Sequence, residues 1–372
     1  MIQIKPVSTR GDMRRFVNFP KELYKDNPYW VPALEGDEYD AFNPKKNKAF
    51  AFCEAQCFLA FRDGKVAGRV AAILNRRANE QWGEGTVRYG WLDFVEDAEV
   101  LAALIGAVGQ WGKQRGCTTV IGPFGFTDMD PEGSLVEGFD KMCPFTCIYN
   151  YPYYDRMLKE QGFEKQVDWI QRSMPITPEF PAMFKFAGQI EQRYGLHVVS
   201  GMGMREMVKR YGDGIFEAYN KAFEPLYGFS PLDPGQVKKY LATYATILNP
   251  EYIAVCVNSE DKPVGFIACV PTLSEAIRKS GGRLFPFGFI RILRAARFNE
   301  TVEALIMGVD PEYQGSGAIL LMLKYLHENF LRLGVKRILL NPQLEDNSKA
   351  VTLFDQYDTT LYMRRRAYKK SI

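Results

Sequence analysis

Histidine is nearly missing from this chain: His197 and His327 are the only two in 372 residues. That scarcity removes most zinc sites and leaves no serine–histidine–aspartate or cysteine–histidine arrangement for covalent catalysis. The seven cysteines are an odd number and stand in apolar contexts such as Cys57-Phe58-Leu59 and Val255-Cys256-Val257, so they read as reduced, buried thiols. Cys53/Cys57 and Cys143/Cys147 share a Cys-x3-Cys spacing without a histidine beside them, and no metal is expected. No run of 18 apolar residues occurs, and Met1-Ile2-Gln3-Ile4-Lys5 starts no apolar signal region. A net charge of only +3, with no long basic run, argues against a nucleic-acid partner. The expectation is a soluble cytoplasmic protein. The sequence carries no signal of oligomeric state.

What is present is a globular composition, 47% hydrophobic and 24% charged, in a chain long enough for two domains. An internal repeat divides it. Residues 58–72, Phe58 to Ala72, read as two strands around the turn Asp63-Gly64. Tyr252 to Cys269 repeats that pattern. A further strand follows in each half, Val87 to Phe94 and Val302 to Val309. Then comes an amphipathic helix, with Val100, Leu101, Leu104, Val108 and Trp111 at helical spacing in one half. Ile319, Met322, Leu323, Leu326, Phe330 and Leu333 have that spacing in the other. Each helix ends near a glycine, Gly116 or Gly334, and a strand follows, Cys117 to Ile121 or Val335 to Leu340. Three prolines within Met174 to Pro181 mark a linker at 175–181, between domains expected at 1–174 and 182–372.

The chemistry concentrates in Val309-Asp310-Pro311-Glu312-Tyr313-Gln314-Gly315-Ser316-Gly317-Ala318, between a strand and a helix. The first N–H groups of a helix have no internal partner and its dipole adds positive charge, so such a turn suits an anion. Glycine-rich turns before helices also arise for steric reasons alone. A Walker loop is excluded, because no Gly-Lys-Ser/Thr is present. A dinucleotide fingerprint is excluded, because Leu320 stands where its third glycine belongs.

Gln314-Gly315-Ser316-Gly317 resembles the Gln/Arg-x-x-Gly-x-Gly/Ala motif of the GNAT superfamily of acyl-CoA N-acyltransferases, and Val309-x-Pro311-x-Tyr313 is similar to what precedes it there. Asn347-Ser348-Lys349-Ala350-Val351-Thr352-Leu353-Phe354 resembles the second GNAT signature, Asn-x-x-Ala-x-x-Leu-Tyr. Tyr154-x-x-x-Leu158-x-x-x-Gly162-Phe163 looks like the closing motif of the family within the first half. The resemblance implies an α/β fold class, with mixed, mostly antiparallel sheets flanked by helices, in two tandem GNAT-like acyl-CoA N-acyltransferase folds.

It also implies acetyl-CoA or a longer acyl-CoA as co-substrate of the second half. Met307 and Val309 would meet the pantetheine amides. Gln314, Gly315, Ser316, Gly317 and Ala318 would hold the pyrophosphate, with Asn347 from the second motif. The first half has Glu96-Asp97-Ala98-Glu99 at the matching turn, a good helix cap whose charges would repel a pyrophosphate. Two departures stand out: Ile319 takes the place of the last small residue, and Phe354 that of the tyrosine that protonates the leaving thiolate. Tyr357, one helical turn on, is the substitute acid, and Glu303 the candidate base that deprotonates the amine. Either could instead be an ordinary core or strand residue. His327 reads as a surface residue of the helix. The alternative to an enzyme is a catalytically inactive GNAT-like module that binds a ligand or a protein.

The resemblance further implies an amine as acceptor. Asn220, Glu224 and Tyr227 lie on the early helices that meet the acceptor in such folds, and Asp128 and Asp130 of the first half offer amine-binding charges. The second half is 21 residues longer than the first between matching glycines. The excess holds Phe285 to Phe298, in which Arg291, Arg294 and Arg297 interleave with Phe289, Ile290 and Leu293. That pattern suits either an ordinary packed helix or a lipid-like acceptor or acyl chain with peripheral contact to a membrane surface.

Overall fold

The computed structural model describes residues 1–226, 229–297, 299–347, 353–354 and 357–372. The first half runs β1 (Ile2–Pro6), α1 (Arg10–Leu23), α2 (Glu35–Ala41), β2 (Cys53–Arg62), β3 (Lys65–Asn75), α3 (Arg76–Trp82) and β4 (Thr86–Phe94). It continues through α4 (Ala98–Lys113), β5 (Thr119–Gly122), β6 (Ser134–Glu137), α5 (Tyr153–Glu160) and β7 (Glu164–Pro175). The second half begins with α6 (Ala187–Tyr194), β8 (His197–Val198), α7 (Met204–Phe223), α8 (Pro234–Ile247), β9 (Ile253–Val257) and β10 (Pro263–Pro271). Then follow α9 (Ser274–Lys279), α10 (Gly288–Arg297), β11 (Thr301–Val309), α11 (Ala318–Arg332), β12 (Arg337–Leu339), β13 (Gln343–Leu344) and β14 (Thr360–Ser371).

The predicted repeat is visible in the pairing. In each half a hairpin, β2–β3 or β9–β10, adds a third antiparallel strand, β4 or β11. That strand then pairs in parallel with β5 or β12 across a crossover helix, α4 or α11. Helix α4 forms where the apolar spacing said it would: Val100, Leu101, Leu104 and Val108 are fully buried. Its N-terminus is capped by Asp97, whose carboxylate accepts from the N–H groups of Glu99 and Val100. Arg62 binds both Asp97 and Glu99, so the acidic turn of the first half is engaged in structure. Gly116 and Gly334 follow α4 and α11 with φ of 81° and 74°, the left-handed geometry of a helix stop.

Each sheet face carries its own helices. α1 packs over Cys57, Leu59, Ala71 and Ile73, while α4 and α5 cover Phe58, Ala60, Val70 and Ala72 on the other side. In the second half α7 and α8 cover Val255 and Phe266, and α11 covers Ala254, Cys256 and Ile267. The alternation of inward and outward residues along each strand fixes this division.

The two halves do not close separately at 175–181. The strands form one sheet in the order β1-β2-β3-β4-β5-β14-β7-β12-β11-β10-β9-β8. The last strand of the chain, β14, pairs with β5 of the first half from Tyr368↔Gly122 to Ser371↔Thr119. β7, from the first half, pairs with β12 of the second. The long β14–β7 ladder joins them, and Asp168 in its middle is fully buried against Arg364 and Arg366. A domain of residues 1–174 therefore lacks the strand that covers β5, and one of 182–372 lacks the strand that covers β12. A fragment of residues 1–174 should expose the short edge of β5, leave the long β7 without any partner strand, and aggregate. Circular dichroism should find no cooperative melt for it, unlike the full chain. A soluble, cooperatively folding fragment would show that the exchange is dispensable.

Candidate active site

The site begins where β11 and β12 stop pairing. Their parallel ladder holds for three pairs, Thr301↔Arg337, Val302↔Ile338 and Glu303↔Leu339, and then the strands part. On the other edge of β11 the register with β10 slips by one residue, Cys269 facing Ala304 and Ala268 facing Ile306, so Leu305 is a bulge. The slip sets the faces. Ala304, Met307 and Val309 pack toward α11, while Ile306 packs with Phe216, Tyr219 and Phe229 on the α7 side. Asp310 N–H donates to Val264 O at 2.8 Å. Backbone groups alternate along a strand, so the N–H and C=O of Val309, and of Met307 two residues earlier, turn into the gap.

The gap leads to the turn at Gln314 to Ala318. Gly315 and Gly317 take φ of 83° and 91°. Ser316 folds its hydroxyl back onto Tyr313 O at 2.6 Å and receives the Ala318 N–H. Among the described residues the N–H groups of Gly315, Gly317 and Ile319 have no acceptor. A Cβ on Gly315 would meet nothing within 4 Å, so the turn is open on that side. A Cβ on Gly317 would lie 2.6 Å from Ile190 of α6, so Gly317 is also needed for packing. Three bare N–H groups at a helix start, with open space before them, fit a pyrophosphate.

Glu303 closes the wedge on the α7 side. It is only 2% exposed, and Thr272 and Ser274 donate hydroxyl bonds to Oε1, the latter at 3.3 Å. Its Oε2 has no hydrogen-bond partner. Burial pushes the carboxyl up from 4.5 to about 7, against the pull of the two hydroxyls. A group so poised takes up and releases protons near neutral pH.

On the α11 side a small apolar pocket of ≈ 40 Å³ is lined by Ala304, Met307, Leu323, Leu340, Phe354 and Tyr357 among others. Phe354 is buried at its wall. Tyr357 directs its hydroxyl to Met183 Sδ at 3.2 Å, and burial pushes the phenol up to about 12. His327 is a correction to the sequence reading. It is 8% exposed, wedged against the rings of Phe180 and Phe184, with Nε2 3.0 Å from Thr177 O. The apolar face of α11 has to be covered by the segment before α6, and His327 lies under that cover.

Residues 213–357 match the acetyltransferase (GNAT) family. The second half of the chain thus carries a GNAT acetyltransferase domain. It is 27% identical to protein YghO of Escherichia coli K12, over 99% of this chain and 95% of that protein. It is also 27% identical to a bacterial ceramide synthase of Caulobacter vibrioides, over 100% and 98%. Among solved structures, a tandem GNAT protein from the clavulanic acid biosynthesis pathway aligns over 100% of this chain and 98% of its own. The TM-score is 0.55 at 13% identity. The whole chain thus has a tandem GNAT fold, and its second half matches a family of N-acyltransferases whose co-substrate is acetyl-CoA or another acyl-CoA.

The first half differs from the second at the corresponding place. Its β4–β5 pair also parts after three pairs, at Arg88↔Ile121. Phe94 stands where Val309 stands, since each lies opposite the matching glycine, Gly68 or Gly265. Here Phe94 N–H donates to the Tyr154 hydroxyl at 3.1 Å, and Phe94 C=O accepts from Tyr153. The backbone groups that would meet pantetheine are already satisfied by two tyrosines of α5. Arg88 occupies the place of Glu303, and Asp93 that of Gly308. Asp93 pairs with buried Arg69. No single motif carries these differences; they emerge only when the two halves are aligned residue by residue.

Of the acceptor residues, Asn220 uses both ends of its amide on the backbone of Leu232, which makes it a brace for the loop before α8. Glu224 is exposed at the end of α7. Tyr227 and most of the second motif after Asn347 lie outside the described residues, while Asn347 itself donates its N–H to Leu344 O. Asp130 is occupied by the N–H groups of Phe126 and Thr127. Asp128 meets the Tyr219 hydroxyl of α7 with Oδ2, and its buried Oδ1 has no hydrogen-bond partner. By surface area it is half-buried, yet burial pushes its carboxyl up to about 6.

Two variants separate these roles. Gly315→Asp puts a carboxylate in the open space before the turn, and aspartate tolerates the left-handed backbone. Calorimetry should find CoA binding reduced at least 10-fold with the melting temperature within a few degrees; unchanged affinity would move the pyrophosphate elsewhere. Glu303→Gln should lower turnover by 10²–10⁴-fold and abolish a rise in rate through pH about 7. A carboxyl whose folded value is raised costs stability as pH climbs from about 4.5 through about 7. The Gln variant should therefore be at least as stable as the parent at pH 8. A less stable variant with an unchanged pH profile would make Glu303 structural.

Proposed function

We propose that this GNAT protein transfers an acyl group from acyl-CoA to the primary amine of a lipid-like acceptor. The observation that carries the reading is the gap after Glu303↔Leu339. It has strand groups free on one edge, bare N–H groups at its end and a carboxyl at neutral poise beside it. The co-substrate supplies an activated thioester carbonyl. Val309 and Met307 offer backbone groups to its pantetheine amides, and Gly315, Gly317 and Ile319 offer N–H groups to its pyrophosphate. Glu303 takes the proton from the attacking ammonium or amine nitrogen. The C–N bond forms as the C–S bond breaks, and the sulfur leaves as thiolate. Tyr357 stands on the α11 side, at the pocket that also contains Met307, and is the available donor for that sulfur.

The lipid-like class is supported from two sides. The relative in Caulobacter vibrioides is named for making a ceramide, a lipid amide. On the acceptor face of β11, Ile306 lies in an apolar cluster with Tyr219, Phe223, Phe229 and Met129, walls suited to a hydrocarbon chain. Asp128, beside Tyr219, gives that cluster one unpaired carboxylate oxygen for an ammonium group.

The test is thiol release from acetyl-, octanoyl- and palmitoyl-CoA with a panel of amines, from small soluble ones to long-chain amino alcohols. Long-chain amines should give the highest kcat/KM. Asp128→Asn should raise KM for them about 10-fold or more while changing kcat less. Preference for a small soluble amine would overturn the acceptor class, and CoA binding without turnover of any amine would overturn the reaction.

A further inference from the structure

We infer that α10 and the turn before it form a membrane-docking surface, seated on an anionic lipid leaflet. Eleven large apolar side chains are exposed among the described residues, and six of them fall between 284 and 293. Phe285 is 77% exposed, Phe287 67%, Leu293 57% and Ile290 52%, with Leu284 and Phe289 at about two-fifths. The other five, Met1, Phe180, Phe186, Tyr194 and Leu361, are scattered over the rest of the described chain, so the concentration at 284–293 is not a general looseness of the fold.

Nor is the segment loosely attached. Ile292 packs inward with Leu273, Ile277, Tyr24 and Val31. Gly282 O accepts the Glu35 N–H at 2.8 Å, and Arg283 pairs with Glu35. The helix is thus mounted on the body by one side, while Phe289, Ile290 and Leu293 point outward along the opposite stripe. Contiguous exposed apolar surface on a well-packed mount marks an interaction site.

The charges select the occupant. Arg294 and Arg297 flank the apolar stripe and are exposed, and Arg291 lies on the next face with one guanidinium nitrogen on Lys279 O. There is no acidic residue between 276 and 297. Apolar side chains rimmed by arginine match the boundary between acyl chains and anionic headgroups, where each arginine adds attraction and the ring side chains enter the apolar zone. A protein partner would require acidic complement to the arginines as well as an apolar groove; an anionic bilayer supplies both without further assumption.

The placement concerns the reaction directly. α9 starts at Ser274, whose hydroxyl holds Glu303, and runs on through the Gly281-Gly282 turn to the exposed tips. The docking face and the clamp on the candidate base belong to one short segment. The inference deepens the acceptor reading above, yet its own test needs no turnover.

Co-sedimentation with vesicles of phosphatidylglycerol, against vesicles of phosphatidylcholine, tests it. The parent should sediment with the anionic vesicles and progressively less as salt rises. Replacing Arg294 and Arg297 together by Gln should weaken that binding on the order of 30-fold. Phe285→Ser with Leu293→Ser should weaken it at least as much with the melting temperature unchanged, since both side chains are mostly exposed and the ring that Phe285 meets, Phe289, is itself exposed. Absence of anionic-vesicle binding by the parent would overturn the inference. So would equal binding by both double variants, or a stable dimer in sedimentation velocity that the serine variant dissolves. Vesicle binding without activity on long-chain amines would leave the docking face intact and remove the acceptor class alone.

Discussion

Buried backbone groups must be satisfied, and this molecule twice creates a place where a sheet leaves them unsatisfied. Two parallel strands pair for three residues and then separate, in each half, at the same point of the repeat. The two halves differ in how the exposed strand edge is satisfied. In the first half two tyrosine hydroxyls take the N–H and C=O of Phe94, and the wedge becomes core. In the second half the corresponding edge at Val309 is left facing a gap that opens on bare helix N–H groups. In the function proposed above, an amide-bearing ligand with an anionic end would complete that arrangement as the tyrosines complete the other.

The same divergence appears in the charges. Position by position, Arg88 answers to Glu303, and Asp93 to Gly308. In the first half the residues on the acceptor face form a closed network, in which Arg69 binds both Asp93 and Glu38, and Asp93 also accepts from Tyr24. Mutual satisfaction makes that network a structural element. In the second half Glu303 keeps one oxygen without a partner and is held near neutral pH by its burial. A buried carboxyl left half-satisfied costs stability, and such groups concentrate where chemistry is done.

Much of this was legible in the amino acids. The repeat, the crossover helices and their glycine stops were readable because apolar spacing of two or 3.6 residues survives in each element, and the open glycine turn because Gly315 and Gly317 sit between a strand and a helix. Glu303 could be named from its place on the strand, but not its poise, since Thr272 and Ser274 reach it across thirty residues of chain. Asn220 looked like a ligand because nothing in the sequence shows that Leu232 would claim its amide. His327 looked exposed because the segment around Phe180 and Phe184 that covers it has no helical pattern of its own. The exchange of β7 and β14 was hidden for a deeper reason: both are ordinary alternating strands, and alternation states which face is buried, not which neighbour is paired.

That exchange has a consequence for how the chain is made. β5 and β7 are synthesised early, but the strand that lies between them comes some 185 residues after β7. At ordinary elongation rates the gap lasts roughly 10–40 s. Throughout that interval the emerging first half carries two strands with open edges, and the nearest covalently linked partner for them has not yet left the ribosome. Only when β14 arrives does a single strand bolt both halves together in one stroke.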